Sequence, residues 1–552
     1  MGHVSYVPVE PHHPAKLPRR NHLRWHGKVA VIAPRDEPAT GRGWILCREC
    51  SQTAACQGRK AASSLAIKYP PPAPLAPFPK VSSNDIYGWM LTFFDHRRRS
   101  RREFLRIGGG LLGGLASWGL GTGRVSAADL SHLLTGRSVV FLFLHGGPSQ
   151  IETFDPKMTA PGGICSVNGE VATKLPGITL GSALPRLASL ADRFSIVRSF
   201  QTGDGNHDIK PILGRATSGA NLGSLYARVA GQNRPGSGFP TNVLLLPQAA
   251  VPEAQPGITS FGDFQSAGFL GSGFAPFTPS SGGAMQDNLK LKLPLDRLDD
   301  RRSLLSGLDQ LRQGLDSSGL GLGVDAIRKQ AFDTLLGGVA DAFDFRKESP
   351  QTIARYDTAP QVRPDQISRK WNNYDHYVDN ASSLGKLLLL ARRLCERGCG
   401  FVTVTTSFVW DMHADTNNAG VEEEMRYMGL PLDFAVSAFL EDVRDRGLSD
   451  KIMLVVCGEM GRTPRINEHG GRDHWGGLAP LLISGGGFPM GQVLGQSDRQ
   501  AAEPLTSPVR IPNLVSTIMH RLIDVTQLRL VPGMPRELLS AATDAEPIEE
   551  VA

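Results

Sequence analysis

Uninterrupted apolar runs recur along this chain, and each stops in a polar loop that carries glycine. Ser138–Leu144 (SVVFLFL), Phe401–Thr405 (FVTVT), Ile452–Val456 (IMLVV) and Leu481–Ser484 are continuous hydrophobic or β-branched stretches. A strand covered on both faces shows that pattern, whereas a half-exposed strand alternates. Phe194–Val197 and Asn242–Pro247 read as shorter strands of the same kind. Between them the period changes. Leu304, Leu305, Leu308, Leu311 and Leu315 recur at helical spacing within Leu295–Phe345. Tyr374–Arg397 is a second helix, closed by Gly398 and Gly400. Leu432–Arg446 and Ile511–Asp524 are two more. Strand Phe401, helix, strand Ile452 forms a βαβ crossover, the mark of a parallel sheet. Residues 218–300 are rich in Gly, Pro, Ser and Phe without clear periodicity, and read as long loops packed over the sheet.

Open α/β sheets bind ligands beyond the carboxyl ends of their strands, so the loops after the apolar runs hold the candidate chemistry. The Ile452 run stops at Cys457-Gly458-Glu459, and Arg472-Asp473-His474-Trp475 follows. Gly461, Pro464, Gly470 and Gly471 preclude a long helix in between. Glu459 and His474 therefore project from one loop, and a carboxylate beside an imidazole suits a divalent metal. A surface loop with a Glu–Arg ion pair would look the same. After the Phe401 strand, Asp411 and His413 alternate in Trp410–Asp415, so both point one way in an extended backbone and can chelate one ion. The first strand opens into His145-Gly146-Gly147. The Phe194 strand opens into RSFQTGDGNHD, which offers Arg198, Thr202, Asp204, Asn206 and His207 to a ligand. A loop histidine bonded to backbone and a plain surface turn are the competing readings there.

Composition changes the picture mainly at the N-terminus. The 552 residues are 41% hydrophobic and 20% charged, ordinary for a globular protein with appendages. The net charge of +6 owes much to the arginines and histidines of the first 106 residues and does not indicate a nucleic-acid partner. Seven scattered cysteines form no disulfide framework. Residues 1–89, with the tract YPPPAPLAPFP, read as a disordered extension or as upstream of the true start. From Met90 the chain reads as an export signal, residues 90–127: basic HRRRSRR, the apolar Ile107–Gly123 segment with eight glycines, then Val125-Ser126-Ala127. Ser100–Arg106 (SRREFLR) resembles the twin-arginine export motif. The apolar segment is short for a membrane anchor, so contact with the membrane is expected only in transit. The expected destination is the periplasm or cell envelope, with the mature chain beginning near Ala128 and its domain running over 128–545.

FLHGGPSQIETFDP, WDMHAD, GEMGRTPRIN and GRDHW, in that order behind such a signal, resemble the exported domain-of-unknown-function 1501 family. That family is similar in fold to alkaline phosphatases and sulfatases, and the resemblance covers about Arg137 to Leu539. It implies an α/β fold, a three-layer α/β/α sandwich with a mainly parallel central sheet. It also implies divalent metal (Zn, Ca, Mg or Mn) at the carboxyl ends of the strands. Asp411 and His413 look like one Asp/His pair of ligands, Glu459 like the Asp of another, and His474 like the last His. The chain departs from the pattern at Met460, where a His is expected and a thioether suits hard metals poorly, and at His145, where the first strand should offer Asp. It has no Cys-x-Pro-x-Arg sulfatase signature.

Two functions follow from this. One is a metal-dependent hydrolase of phosphate or sulfate esters, acting on a small anionic or sugar-linked substrate. Asp411, His413, Glu459 and His474 would bind metal, and Arg462 or Arg472 would fork onto the anion. His207 would act as acid or base, and Thr202 would be the nucleophile by its loop position. The other is an exported binding or scaffold protein that keeps the fold with a degraded site.

Overall fold

The computed structural model describes residues 130–235, 237–279 and 338–548. The expected extension, the export signal and nearly all of the expected Leu295–Phe345 helix lie outside them. Seven strands form the main sheet: β1 (Ser138–Phe143), β2 (Ser195–Val197), β3 (Asn242–Leu245), β4 (Phe401–Thr405), β5 (Ile452–Cys457), β6 (Leu481–Gly485) and β7 (Val493–Leu494). Their spatial order is β7-β2-β6-β5-β1-β4-β3. β1 is central, parallel to β4 on one side and β5 on the other, with Val139 opposite both Phe401 and Met453. Only β6 runs against the rest, antiparallel to β5 and to β2. A hydrophobic run does not encode the strand's direction, so the sequence could not show this reversal.

The runs are continuous because successive residues enter different cores. Val140 and Leu142 of β1 pack on one face, with Val402, Val404, Leu454 and Val456. Helices α2 (Tyr374–Glu396) and α3 (Leu430–Asp445) cover that face. Val139, Phe141 and Phe143 pack on the other, with Met453, Val455 and Ile483. There α1 (Leu222–Ala230), α4 (Ile511–Leu522) and α5 (Arg536–Thr543) form the third layer. The expected three-layer α/β/α sandwich is thus present. Among the described residues no helix is long and apolar enough to cross a membrane.

One expectation fails locally. The stretch read as loop from residue 218 contains α1, capped by Asn221, whose side chain accepts from Gly223 N at 2.8 Å. Burial of nearly all of this helix stabilises a segment too short to hold itself in water.

The sheet's polarity places the site. β1, β2, β4 and β5 all run one way, so the loops after Phe143, Val197, Thr405 and Cys457 emerge at one edge. His145, Thr202, His207, Asp411, His413, Glu459 and His474 all follow those strands in sequence.

Candidate metal centre

Three imidazoles and one carboxylate converge at that edge. His207, Asp411, His413 and His474 each offer one ligand atom, and the four atoms lie within 4.8 Å of one another. Asp411 Oδ1 is 3.2 Å from His207 Nε2, 3.0 Å from His413 Nε2 and 3.4 Å from His474 Nε2. His413 Nε2 and His474 Nε2 are 2.7 Å apart. His207 Nε2 is buried and lacks a hydrogen-bond partner, although Asp411 Oδ1 is close enough to be one. The distance suits a hydrogen bond and the alignment does not.

The imidazoles are turned inward from behind. His207 Nδ1–H donates to Glu459 Oε1 at 3.1 Å, and His413 Nδ1–H donates to Asp473 Oδ1 at 3.1 Å. Each bond fixes the tautomer that leaves Nε2 facing the cluster, as carboxylates behind metal-binding histidines do. Glu459 is fully buried and also accepts from Gly146 N at 2.9 Å. It therefore stands behind His207, outside the four-atom group, where the sequence suggested a ligand. His207, expected as an acid or base, is one of the four grouped residues. Carboxylate and imidazole are adjacent links in one chain of contacts. Asp411, His413 and His474, expected as ligands, are brought together in the four-residue group.

Charge in the cluster is concentrated on Asp411. Burial opposes its ionisation, but contacts with His207, His413, His474 and Arg462 outweigh burial and hold its carboxyl far below the usual range. Burial likewise opposes charge on His207, yet Asp411 and Glu459 draw its pKa upward. Burial opposes charge on His413 too, and Asp411 raises its pKa in the same sense. The raised imidazoles of His207 and His413 and the depressed Asp411 carboxyl favour positive charge beside this carboxylate.

Both arginines expected to hold an anion are engaged with the protein itself. Arg462 is fully buried. It donates to Gly147 O at 2.7 Å, Trp410 O at 3.0 Å, Asp411 Oδ1 at 2.6 Å, Arg472 O at 3.2 Å and, more tightly, Gly146 O. Arg472 is also fully buried and pairs with Glu152 Oε1 at 2.9 Å, while donating to the carbonyls of Thr463, Pro464, Ile164 and Cys165. Neither guanidinium has its fork free for a substrate.

Met460 is buried beneath the first loop, where a Cβ on Gly147 would come within 2.7 Å of its Cγ. Gly146 has φ +122°, and a Cβ there would fall 2.6 Å from Trp410 N. Only glycine lets the β1 loop lie this close to the β4 loop. His145 is not in the cluster. Its ring packs among Phe143, Phe264 and Phe408, and burial pushes its pKa down to about 4. Phe408 lies edge-on to His207 as well, and Phe261 stacks on Phe408, so an aromatic wall closes one side. The sequence pattern gives no sign of this wall. Asp473 was also missed as a partner of His413, although RDHW places it beside His474. Thr202 is buried with Oγ1 unpartnered, in the wall of a neighbouring cavity.

A family model described as "Protein of unknown function (DUF1501)" matches residues 136–551. No curated protein matches the chain. Among solved structures it is similar to Ps i-CgsB bound to k-i-k-neocarrahexaose, at 10% identity and TM-score 0.29, over 70% of this chain and 71% of that one. It is similar to the PsFucS1 sulfatase from Pseudoalteromonas sp. at 11% identity and TM-score 0.30, over 70% and 67%. It is also similar to the phosphonate monoester hydrolase SpPMH from Silicibacter pomeroyi, at 10% identity and TM-score 0.29, over 70% and 73%.

Arg462→Ala strands the Asp411 carboxylate and several carbonyls, so it should cost about 3–5 kcal/mol of stability or prevent folding. A denaturant midpoint unchanged from the parent chain would mean that Arg462 is not a clamp. His145, with its folded pKa of about 4 below the unfolded value near 6.5, contributes stability that is complete above the unfolded value and lost as pH falls through the folded one. Relative to His145→Phe, the parent chain should lose about 2–3 kcal/mol between about pH 7 and pH 4.5, read from parallel denaturant titrations. Parallel pH profiles for the two would contradict a neutral buried imidazole.

Proposed function

This chain belongs to the DUF1501 family, and we propose that its strand-end cluster binds one divalent transition-metal ion and that the protein hydrolyses phosphate or sulfate esters. The convergence of His207, Asp411, His413 and His474 supports this reading most directly. Three imidazoles and one carboxylate are the donors of a zinc-type tetrahedral site, whereas calcium and magnesium take oxygen-rich sites. A bound divalent ion supplies Lewis acidity, polarising an ester oxygen or acidifying water. Neutral imidazoles with a single ligand carboxylate leave such an ion with net positive charge, which favours an anionic ester.

The chain's own residues do the rest. Glu459 and Asp473 hold the histidines in the required tautomer. Arg462 keeps Asp411 ionised and locks the first loop, and the Phe261–Phe408 wall screens His207 from water. Thr202 remains the proposed hydroxyl nucleophile, on the loop that carries His207. With Arg462 and Arg472 both engaged, the anionic head would be left to a bound ion and to backbone N–H groups of these glycine loops. That engagement is also the observation that favours the second reading, a binding or scaffold protein without turnover.

Elemental analysis of the purified protein should find near-stoichiometric metal, with turnover of an aryl phosphate or sulfate. Glu459→Gln keeps an acceptor for Gly146 N but weakens the partner of His207, so metal affinity should fall about 10- to 100-fold with the fold intact. Metal without turnover on any ester would leave the binding-protein reading. A folded, metal-free protein that still turns over would remove the metal from the proposal.

The proposed setting is outside the cytoplasm. A twin-arginine signal would deliver the folded chain to the periplasm or envelope, crossing the membrane only in transit. N-terminal sequencing of the exported form should give a start near Ala128. A start upstream of Arg101 in that form would show that the segment is not removed.

A further inference from the structure

The protein treats the two oxygens of Asp411 differently. Oδ1 faces the three imidazoles and accepts from Arg462 at 2.6 Å. Oδ2 accepts from Asn418 Nδ2 at 3.2 Å. Asn418 is buried and stands 7 positions further along the same loop, which doubles back to bring it there. Ala414 has φ +59°, and its N–H donates to Ala419 O at 3.2 Å. Asp415 Oδ1 accepts from Asn417 N and Asn418 N, each at 2.8 Å. A carboxylate can only accept, so the Asn418 amide turns its NH₂ to Asp411 and its oxygen the other way.

That oxygen is met from α2. Asn418 Oδ1 accepts from Asn373 Nδ2 at 2.7 Å. Asn373 is the N-cap of α2, where an asparagine side chain ordinarily accepts from a backbone N–H of the first turn. Here it makes no such bond, and its amide is given to Asn418 instead. A local rule set aside in this way marks a residue with another task. The backbones run together as well, with Asn373 N donating to Asn417 O at 3.1 Å and Asn372 N to Thr416 O at 3.3 Å. One step outward, Asn372 Nδ2 donates to Asn417 Oδ1 at 2.8 Å. Both of those residues are exposed, and neither hydrogen-bonds to Asp411.

Resting on the metal-dependent reading above, we infer that Asn418 is a positioning residue of the cluster. Held by Asn373, it fixes the Asp411 carboxylate with Oδ1 toward the imidazoles and Oδ2 away from them. Arg462 does not settle this alone. It meets Oδ1 only, and the torsion that swings a carboxylate is broad rather than staggered. Asn418 supplies the second fixed point. With both oxygens committed, Oδ1 is oriented in advance, and donors oriented in advance bind more tightly. Stapling of the loop to α2, by contrast, is a task that Asn372 and Asn417 share.

The test uses the full chain, stripped of metal with a chelator, with Co²⁺ and Zn²⁺ alone as probes. Affinity for Co²⁺ is read from its visible absorption, and affinity for Zn²⁺ by competition. The variants are Asn418→Leu, which keeps the shape without the donor, Asn373→Ala, and Asn372→Ala as the stapling control. Asn418→Leu should bind both ions about 10- to 100-fold more weakly and alter the Co²⁺ absorption. Asn373→Ala should weaken binding by less, and Asn372→Ala should match the parent chain. Affinity and absorption unchanged in Asn418→Leu, or a loss as large in Asn372→Ala, would overturn the inference. If Asn418→Leu does not fold, Asn373→Ala is set against Asn372→Ala, and equal affinities overturn it. A parent chain that binds neither ion removes the metal-dependent reading. The positioning is then read from crystal structures of the metal-free parent and Asn418→Leu, or Asn373→Ala in its place. An Asp411 carboxylate turned away from the imidazoles keeps Asn418 as the residue that orients it, and an unmoved one overturns that role.

Discussion

One guanidinium holds the functional edge of this molecule together. Arg462, on the loop after β5, reaches the carbonyls of Gly146 and Gly147 after β1 and of Trp410 after β4, as well as the Asp411 carboxylate. Three loops from three adjacent parallel strands are thereby fixed to one planar fork. The arrangement also answers an electrostatic problem. Asp411 is buried, and a buried carboxylate without compensation would protonate. Arg462 meets that charge permanently, and the three imidazoles face the same oxygen.

The glycines beside it are part of the same constraint. Gly146 and Gly147 both have positive φ and lie against Trp410 and Met460. Side chains there would push the first loop away from the guanidinium. The HGG sequence is thus a packing requirement, and its histidine turns into the aromatic core instead of toward the cluster. Glu459 completes the arrangement, joining Gly146 to His207 through a single buried carboxylate.

Much of this was legible in the sequence. Four continuous apolar runs became four strands of one sheet; the loops after two of them carry Asp411, His413 and His474, and His207 follows the shorter Phe194 strand, as the chemistry of strand ends leads one to expect. Asp411, His413 and His474, expected as ligands from the sequence, do converge in the structure. What could not be read is which way each polar side chain faces. Arg462 and Arg472 look like substrate forks in a one-dimensional string, because nothing there separates a phosphate from a cluster of carbonyls. Glu459 and His207 differ in role by one hydrogen bond. The helix Leu222–Ala230 is hidden in the sequence because its stability comes from burial on α4 and β3, contacts that local composition does not reveal. The antiparallel course of β6 is hidden for a similar reason.

The central position of β1 bears on the order in which the chain can assemble. β1 is the first strand, yet its neighbours are β4 and β5, and the Gly146–Glu459 hydrogen bond spans 313 positions. Contacts between such distant parts must close a large loop before they contribute anything, which delays them in folding. A ribosome releasing this chain from its N-terminus would present β1 long before either partner exists. The four side chains of the cluster come from both halves of the chain, and the last is His474. The cluster therefore reports completion: until nearly the entire domain has been made and docked, its four side chains do not meet, and a truncated product cannot imitate the finished one.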